Sequence, residues 1–339
     1  MLTTSDIYGR FDETGKLKGL VSNDGQTLPI NIGQPDTPVW LAAIARVLAG
    51  TGQAVVALIG DSTTVGAGAG TGAKGADGAR PGAASARLVQ LLNGVGIPAA
   101  DDSFFGEHLL QAFSGVNFAT YETRFALAGG ASFYPDGQFQ TIGGIPWRLN
   151  AAGHEVRFTP TNQVDTAKII FFNRLGGTFD VTFAGGASLG LETGSGALSV
   201  GSVTKTFARG AGQLAVKWSA GNSAIAGALL YDSTTPRVHV VNLGCYGDKL
   251  TSAMGYAKNA SGWRGGAALA ALATHLTIVD MTINSIQQDG VVGVAAYREA
   301  LSKVASDVVA AGSDLMFALP NPINSTYQED GTAEAYYDA

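Results

Sequence analysis

The chain has 339 residues, 46% of them hydrophobic and only 14% charged, with a net charge of −6. So little charge excludes a disordered tail protein, and the lack of a concentrated Lys/Arg cluster argues against nucleic acid as a partner. No run approaches the roughly 18–20 apolar residues that span a bilayer, so no membrane partner is expected.

Met1-Leu2-Thr3-Thr4-Ser5-Asp6 has neither a basic n-region nor an apolar h-region, so no signal peptide is expected. A cytosolic protein, one exported without a cleaved leader, or one released with a phage particle would each fit, and localisation stays open. The single cysteine, Cys245, leaves no intramolecular disulfide and no Cys-cluster metal site.

In chain order, residues 1–36 are polar and turn-rich (Asn23-Asp24-Gly25, Pro29, Pro35-Asp36) and read as an extended arm or short strands. Helical spacing runs from Pro38 to Leu48 and stops at Gly50 and Gly52. Val55–Ile59 is a continuous apolar run, the pattern of a parallel strand covered on both faces. It ends in Gly60-Asp61-Ser62, followed by a low-complexity Gly-Ala loop at 66–70 and a helix over 83–92.

From about Gly144 the texture changes. Short β-type runs at 156–159, 167–172, 178–183, 199–207, 213–218 and 224–231, spaced by Gly, Asn and Ser turns, predict a β-sandwich. An α/β texture then returns, with strands at 238–243, 276–280 and 315–319 and helices at 267–273 and 297–311. The expected organisation is an arm (1–36), an α/β domain in two parts (37–145 and 235–339) and an inserted β-module (146–234).

Open α/β sheets build sites at the C-terminal ends of their strands. Three such ends carry Ser62, Gly247 and Asn284. Acyl transfer needs a nucleophile and donors aimed at the oxyanion of the tetrahedral intermediate. Ser62 supplies the hydroxyl. The Ser62 and Gly247 N–H groups and the Asn284 amide supply three donors, glycine allowing close approach of its main chain.

In these residues the chain resembles the SGNH (GDSL-type) hydrolase superfamily. Gly60-Asp61-Ser62 resembles the first motif block, Asn242-Leu243-Gly244-Cys245-Tyr246-Gly247-Asp248 the second, and Thr282-Ile283-Asn284-Ser285 the third. The resemblance implies an α/β, flavodoxin-like three-layer fold with a parallel sheet, interrupted by a jelly-roll-like β-sandwich. It also implies a serine esterase removing acyl groups, O-acetyl above all, from an acylated carbohydrate. Ser62 would be the nucleophile, Gly247 (with Gly244 its rival) and Asn284 the oxyanion donors, with no metal or organic cofactor.

The chain departs from that pattern in two places. Thr282 and Ser285 replace the outer residues of the third block, and the last block, Asp-x-x-His, which supplies the general base, is absent. None of the four histidines, His108, His154, His239 and His275, follows Asn284. His239 and His275 fall at strand starts, far from the catalytic edge, and His154 borders the β-module. His108 lies in a loop of unknown direction and reads as a solvated loop residue, with the general base as its alternative role. Asn321-Pro322 and 334–339 read as a strand exit and the start of a further helix. A truncated, nearly inactive polypeptide is therefore expected, with a naturally base-less relative as the alternative.

Asp61 reads as a brace for the nucleophile loop, and Asp280 as a strand-exit residue without a catalytic role. Cys245 reads as a small buried hydrophobe. Trp147, Trp218 and Tyr231 read as core packing of the sandwich in preference to a sugar platform. The competing functions are a non-catalytic glycan-binding or structural module, as in a phage tail or surface protein, and an acyltransferase on the same site. The oligomeric state is not legible.

Overall fold

The structure is a computed structural model. It describes residues 7–11, 17–22, 27–28, 37–66, 80–108, 111, 115–134, 142–197, 199–251, 266–281, 283–290 and 293–318. The chain divides into two compact units, Met1–Pro38 and Val39–Ala339. In the first, β1 (Ile7–Phe11), β2 (Leu17–Ser22) and β3 (Thr27–Leu28) form an antiparallel meander. The predicted turns at Asn23-Asp24-Gly25, Pro29 and Pro35-Asp36 lie outside the described residues, as do 67–70, Thr282 and the segment from 319 onward.

The second unit holds a five-stranded parallel sheet. Its order is β19 (Asp314–Phe317), β18 (Leu276–Asp280), β4 (Ala54–Gly60), β17 (Val238–Asn242), β5 (Ala99–Ala100). β4 is buried along its whole length, which explains its unbroken apolar run. Val55, Ala57 and Ile59 face one core with Leu269 and Leu272 of α5 (Gly266–Leu272) and Val304 and Val308 of α7 (Val294–Ala310). Val56 and Leu58 face another with Ala43 and Val47 of α1 (Pro38–Leu48) and, partly buried, Leu88 of α3 (Ala84–Gly94).

The larger part of the strand structure is antiparallel. One five-stranded sheet runs β13 (Leu191–Thr193), β12 (Thr178–Phe183), β15 (Leu214–Ala220), β10 (Glu155–Phe158), β7 (Phe125–Ala128). A six-stranded sheet runs β14 (Val200–Gly210), β11 (Val164–Phe172), β16 (Ser223–Tyr231), β9 (Trp147–Leu149), β8 (Ser132–Phe133), with β6 (Ser103–Phe105) also pairing β16. Trp147, Phe158, Ile169, Phe179, Val216 and Ile225 fill the core between them. Trp147 lies 4.5 Å from Phe125, ring centre to ring centre, and Phe118 of α4 (Phe118–Tyr121) meets Phe125 edge-on at 4.9 Å. Aromatic pairs of this kind add about 0.5–1.5 kcal/mol each beyond area burial.

The expected fold class needs correction. A flavodoxin-like α/β architecture with a sandwich as its interruption does not describe this chain. Eleven described strands lie in the two antiparallel sheets against five in the parallel one, so the protein is mainly a sandwich-like antiparallel β structure. The physical reason is the segment before Gly144. Its short strands β6, β7 and β8 pair with β16, β10 and β9, extending the antiparallel sheets well beyond the runs that patterning reveals.

A partly buried charge network lies beside these strands. Arg124 contacts Glu122 at 2.8 Å, Asp102 at 3.2 Å and Asp101 at 3.5 Å, and Arg80 pairs with Asp101 at 2.5 Å and with Glu122. Burial pushes the Glu122 carboxyl up, but the two guanidiniums overcome it and hold the group below its ordinary range. No helix among the described residues is long and apolar enough to cross a membrane.

Candidate functional site

The first strand exit is built by Asp61. Its Oδ1 accepts the Thr63 main-chain N–H at 2.8 Å and the Thr63 hydroxyl at 2.8 Å, capping the single-turn helix α2 (Ser62–Val65). Gly66 closes the turn in the left-handed region, φ 105°, donating to the Ser62 and Thr63 carbonyls. Ser62 thus sits at the first helical position, partly exposed. Asp61 braces the Ser62 turn.

The second exit runs alongside the first. Leu243 N–H donates to the Leu58 carbonyl at 2.8 Å and Cys245 N–H to Gly60 at 2.9 Å, so parallel pairing continues past β17 to the foot of the Ser62 turn. Asn242 locks the loop from below: its Nδ2 donates to the Thr64 carbonyl at 3.0 Å and its Oδ1 accepts the Gly244 N–H at 3.0 Å. Cys245 is fully buried. Gly247 follows with φ 70°.

The third exit meets both. Asp61 N–H donates to the Asp280 carbonyl at 3.3 Å. In α6 (Ile283–Asp289), Asn284 donates its Nδ2–H to the Asp248 carbonyl at 2.7 Å. The far end of that helix is held too, since Asp289 pairs with Lys249 and accepts the Thr251 hydroxyl at 2.7 Å. The loops bearing Ser62, Gly247 and Asn284 are therefore adjacent and tied through Asp61, Asp248 and Asp280. Among the described residues, neither the Ser62 N–H and hydroxyl nor the Gly247 N–H has a hydrogen-bond partner.

Two carboxyls beside Ser62 are perturbed. Burial raises Asp61, against the Thr63 N–H and hydroxyl and the Asn284 main chain, which favour the charged form. Burial and the nearby Asp61 charge push Asp280 up to about 6. The Thr63 hydroxyl lies between them, 2.8 Å from Asp61 Oδ1 and 3.3 Å from Asp280 Oδ2. Asp280 Oδ1 is buried without a partner.

The histidines divide clearly. His239 and His275 sit at the starts of their strands, in register with Val55 and beside it, at the far end of the sheet from Ser62. His154 precedes β10, and its carbonyl accepts the Trp218 N–H. His108 corrects the expectation of a solvated loop residue: it is 3% exposed, its Nδ1 lies 2.6 Å from the Gly244 carbonyl, and its own carbonyl accepts the Tyr246 N–H at 3.0 Å. Burial drives its pKa down to about 4. The ring borders a cavity of about 20 Å³, room for one water, shared with Arg80, Tyr121, Glu122 and Asn242. The signal available in the sequence was the glycine set that makes room for it. A Cβ on Gly144 would stand 2.7 Å from His108 N, and one on Gly106 would stand 2.4 Å from the Gly143 carbonyl.

Trp147 is buried in the sandwich, whereas Trp218 is partly exposed with its ring N–H on the Gly221 carbonyl at 2.8 Å. No three His, Cys, Asp or Glu side chains among the described residues converge to hold a metal ion.

No family model matches the chain, and no curated protein matches it. Solved structures that it resembles in part are carbohydrate-binding modules and carbohydrate-active enzymes. They include a carbohydrate-binding module, CBM36, in complex with calcium and xylotriose (14% identity, 31% of this chain and 98% of that one, TM-score 0.25). Another is a family two carbohydrate esterase from Cellvibrio japonicus (8% identity, 63% of this chain and 82% of that one, TM-score 0.24). A third is an exo-β-1,3-galactanase from Phanerochaete chrysosporium (16% identity, 32% of this chain and 28% of that one, TM-score 0.26). At these scores and identities the likenesses assign neither a family nor an activity.

Proposed function

We propose that the chain is a serine ester hydrolase acting on acylated carbohydrate, in line with the SGNH-type motifs of its sequence. Ser62 Oγ bonds to the acyl carbon and the ester C–O bond breaks. The serine proton passes to the leaving sugar oxygen, and water then hydrolyses the acyl-serine. The Ser62 N–H, the Gly247 N–H and the Asn284 amide hold the oxyanion. Asn284 carries the reading. Its side-chain nitrogen has two hydrogens, one of which anchors it on Asp248, leaving the other for substrate beside two unengaged main-chain donors.

A fluorophosphonate probe should label Ser62, located by peptide mass spectrometry. Hydrolysis of p-nitrophenyl acetate and of acetylated xylo-oligosaccharides should be slow, since the Asp-x-x-His block that supplies the base is absent, and the Ser62-dependent part of it should be lost in Ser62→Ala. An unlabelled Ser62, or turnover unchanged in that variant, overturns the proposal.

The extent of the antiparallel sheets favours a second reading, a glycan-binding module. Eleven-residue β14 alternates exposed and half-buried positions along the sandwich surface. Glycan-array binding that survives Ser62→Ala, with no turnover by the unmodified chain, selects it.

A further inference from the structure

We infer that His108 is a positioning residue for the oxyanion loop, holding residues 244–247 through two hydrogen bonds of its own. This deepens the esterase reading and rests on it. The carbonyl of Gly244 can only accept, so at 2.6 Å the His108 Nδ1 carries the hydrogen and Nε2 is the bare nitrogen of the neutral ring. One residue supplies both contacts: Nδ1–H to Gly244 and the main-chain carbonyl to Tyr246 N–H at 3.0 Å. Between them they span the approach to Gly247, whose N–H must point at the oxyanion.

His108 is itself held rigidly. Its N–H donates to the Gly143 carbonyl at 2.9 Å, its φ is 54°, and Gly144 lies against its main chain with no room for a Cβ. Its ring meets Phe118 at 5.4 Å and Tyr121 at 6.0 Å between ring centres. The Tyr121 hydroxyl in turn donates to the Val65 carbonyl at 2.6 Å, at the end of the Ser62 turn. A left-handed residue, uncommon outside glycine, is thus over-determined by its surroundings and spent on fixing one loop. Displacements of about 1 Å in such loops cost on the order of 10²-fold in rate.

The test uses the whole chain. In ¹⁵N NMR the wild-type His108 ring should be neutral with the hydrogen on Nδ1; an Nε2–H tautomer overturns the proposal. His108→Phe keeps a ring against Phe118 and Tyr121 but removes the donor. It should lower kcat about 10- to 100-fold with KM little changed, and should speed amide exchange at Tyr246 and Gly247. His108→Asn places an amide donor near the Nδ1 position and tolerates positive φ, and should recover turnover to within a few-fold. Wild-type kcat and unchanged exchange in His108→Phe overturn the proposal. Should that variant fail to fold, the wild-type tautomer decides. Absence of Ser62-dependent turnover in the wild type overturns the esterase reading instead, while the tautomer and exchange still judge His108.

Discussion

Asn284 donates its side-chain Nδ2–H to the main-chain carbonyl of Asp248 at 2.7 Å. The contact joins residues far apart in the chain, and it makes the start of α6 and the end of the Gly247 loop one structural unit. Asp289 closes the same unit from the other end of the helix through Lys249 and Thr251.

Asn284→Ala should therefore do two separable things. Loss of the proposed oxyanion donor should lower kcat by about 10²–10³-fold with a smaller effect on KM. Loss of the bond to Asp248 should lower stability by roughly 1 kcal/mol, read by urea unfolding. Wild-type turnover in a folded Asn284→Ala variant removes the residue from the site.

Asp280 makes stability depend on pH in an unusual direction. Its carboxyl sits at about 6 in the folded chain against an ordinary 3.8, because burial and Asp61 disfavour the charge. The folded state then holds a proton that the unfolded state has released. The contribution is fully present below about pH 4 and is lost as pH rises through 6. Asp280→Asn should flatten that slope and raise stability at pH 7 by at most about 2–3 kcal/mol. A variant less stable than wild type at pH 7, with the slope intact, contradicts the assignment.

Much of this arrangement is legible in the residues. The apolar run before Gly60 and the one before Asn242 predict buried parallel strands, and both form, side by side and in register. The helix over Pro38–Leu48 and the strand over Thr178–Phe183 are likewise where patterning puts them. What escapes is short and non-local. β6 and β7 have three and four residues, too few for a period to show, and their identity comes only from partners 27 or more residues away, in β16 and β10. For the same reason His108 could not be placed: its burial depends on Gly143, Gly144 and Gly244 arriving from two distant loops.

His239 should dominate the acid side. Burial, with Arg237 nearby, drives its pKa to about 3, and its Nε2 lies 2.9 Å from Gln53 Oε1. The unfolded imidazole takes up a proton near pH 6.5, which the folded one refuses. Stability is therefore present above about 6.5 and is lost as pH falls toward 3. His239→Phe should make the loss between pH 6.5 and 4 less steep, at a penalty of roughly 1 kcal/mol at pH 7 for the missing hydrogen bond. His108, at about 4, leaves a residual slope in the same window. An unchanged acid limb in the variant contradicts this.

Gly60 is required by contact rather than by backbone angle. A Cβ there would lie 1.8 Å from Thr64 Oγ1 and 2.8 Å from the Asp280 carbonyl. Gly60→Ala must push apart the Ser62 turn and the β18 exit together, and should lose both turnover and more than about 3 kcal/mol of stability. Adding Thr64→Gly removes the nearer obstacle but leaves the Asp280 carbonyl in place, so it should recover stability only in part. Gly94, at the end of α3, meets nothing within 4 Å and has no positive φ. Gly94→Ala should instead gain a few tenths to about 1 kcal/mol. Equal effects at the two positions in urea unfolding would show that the Gly60 contact has slack that these distances do not allow.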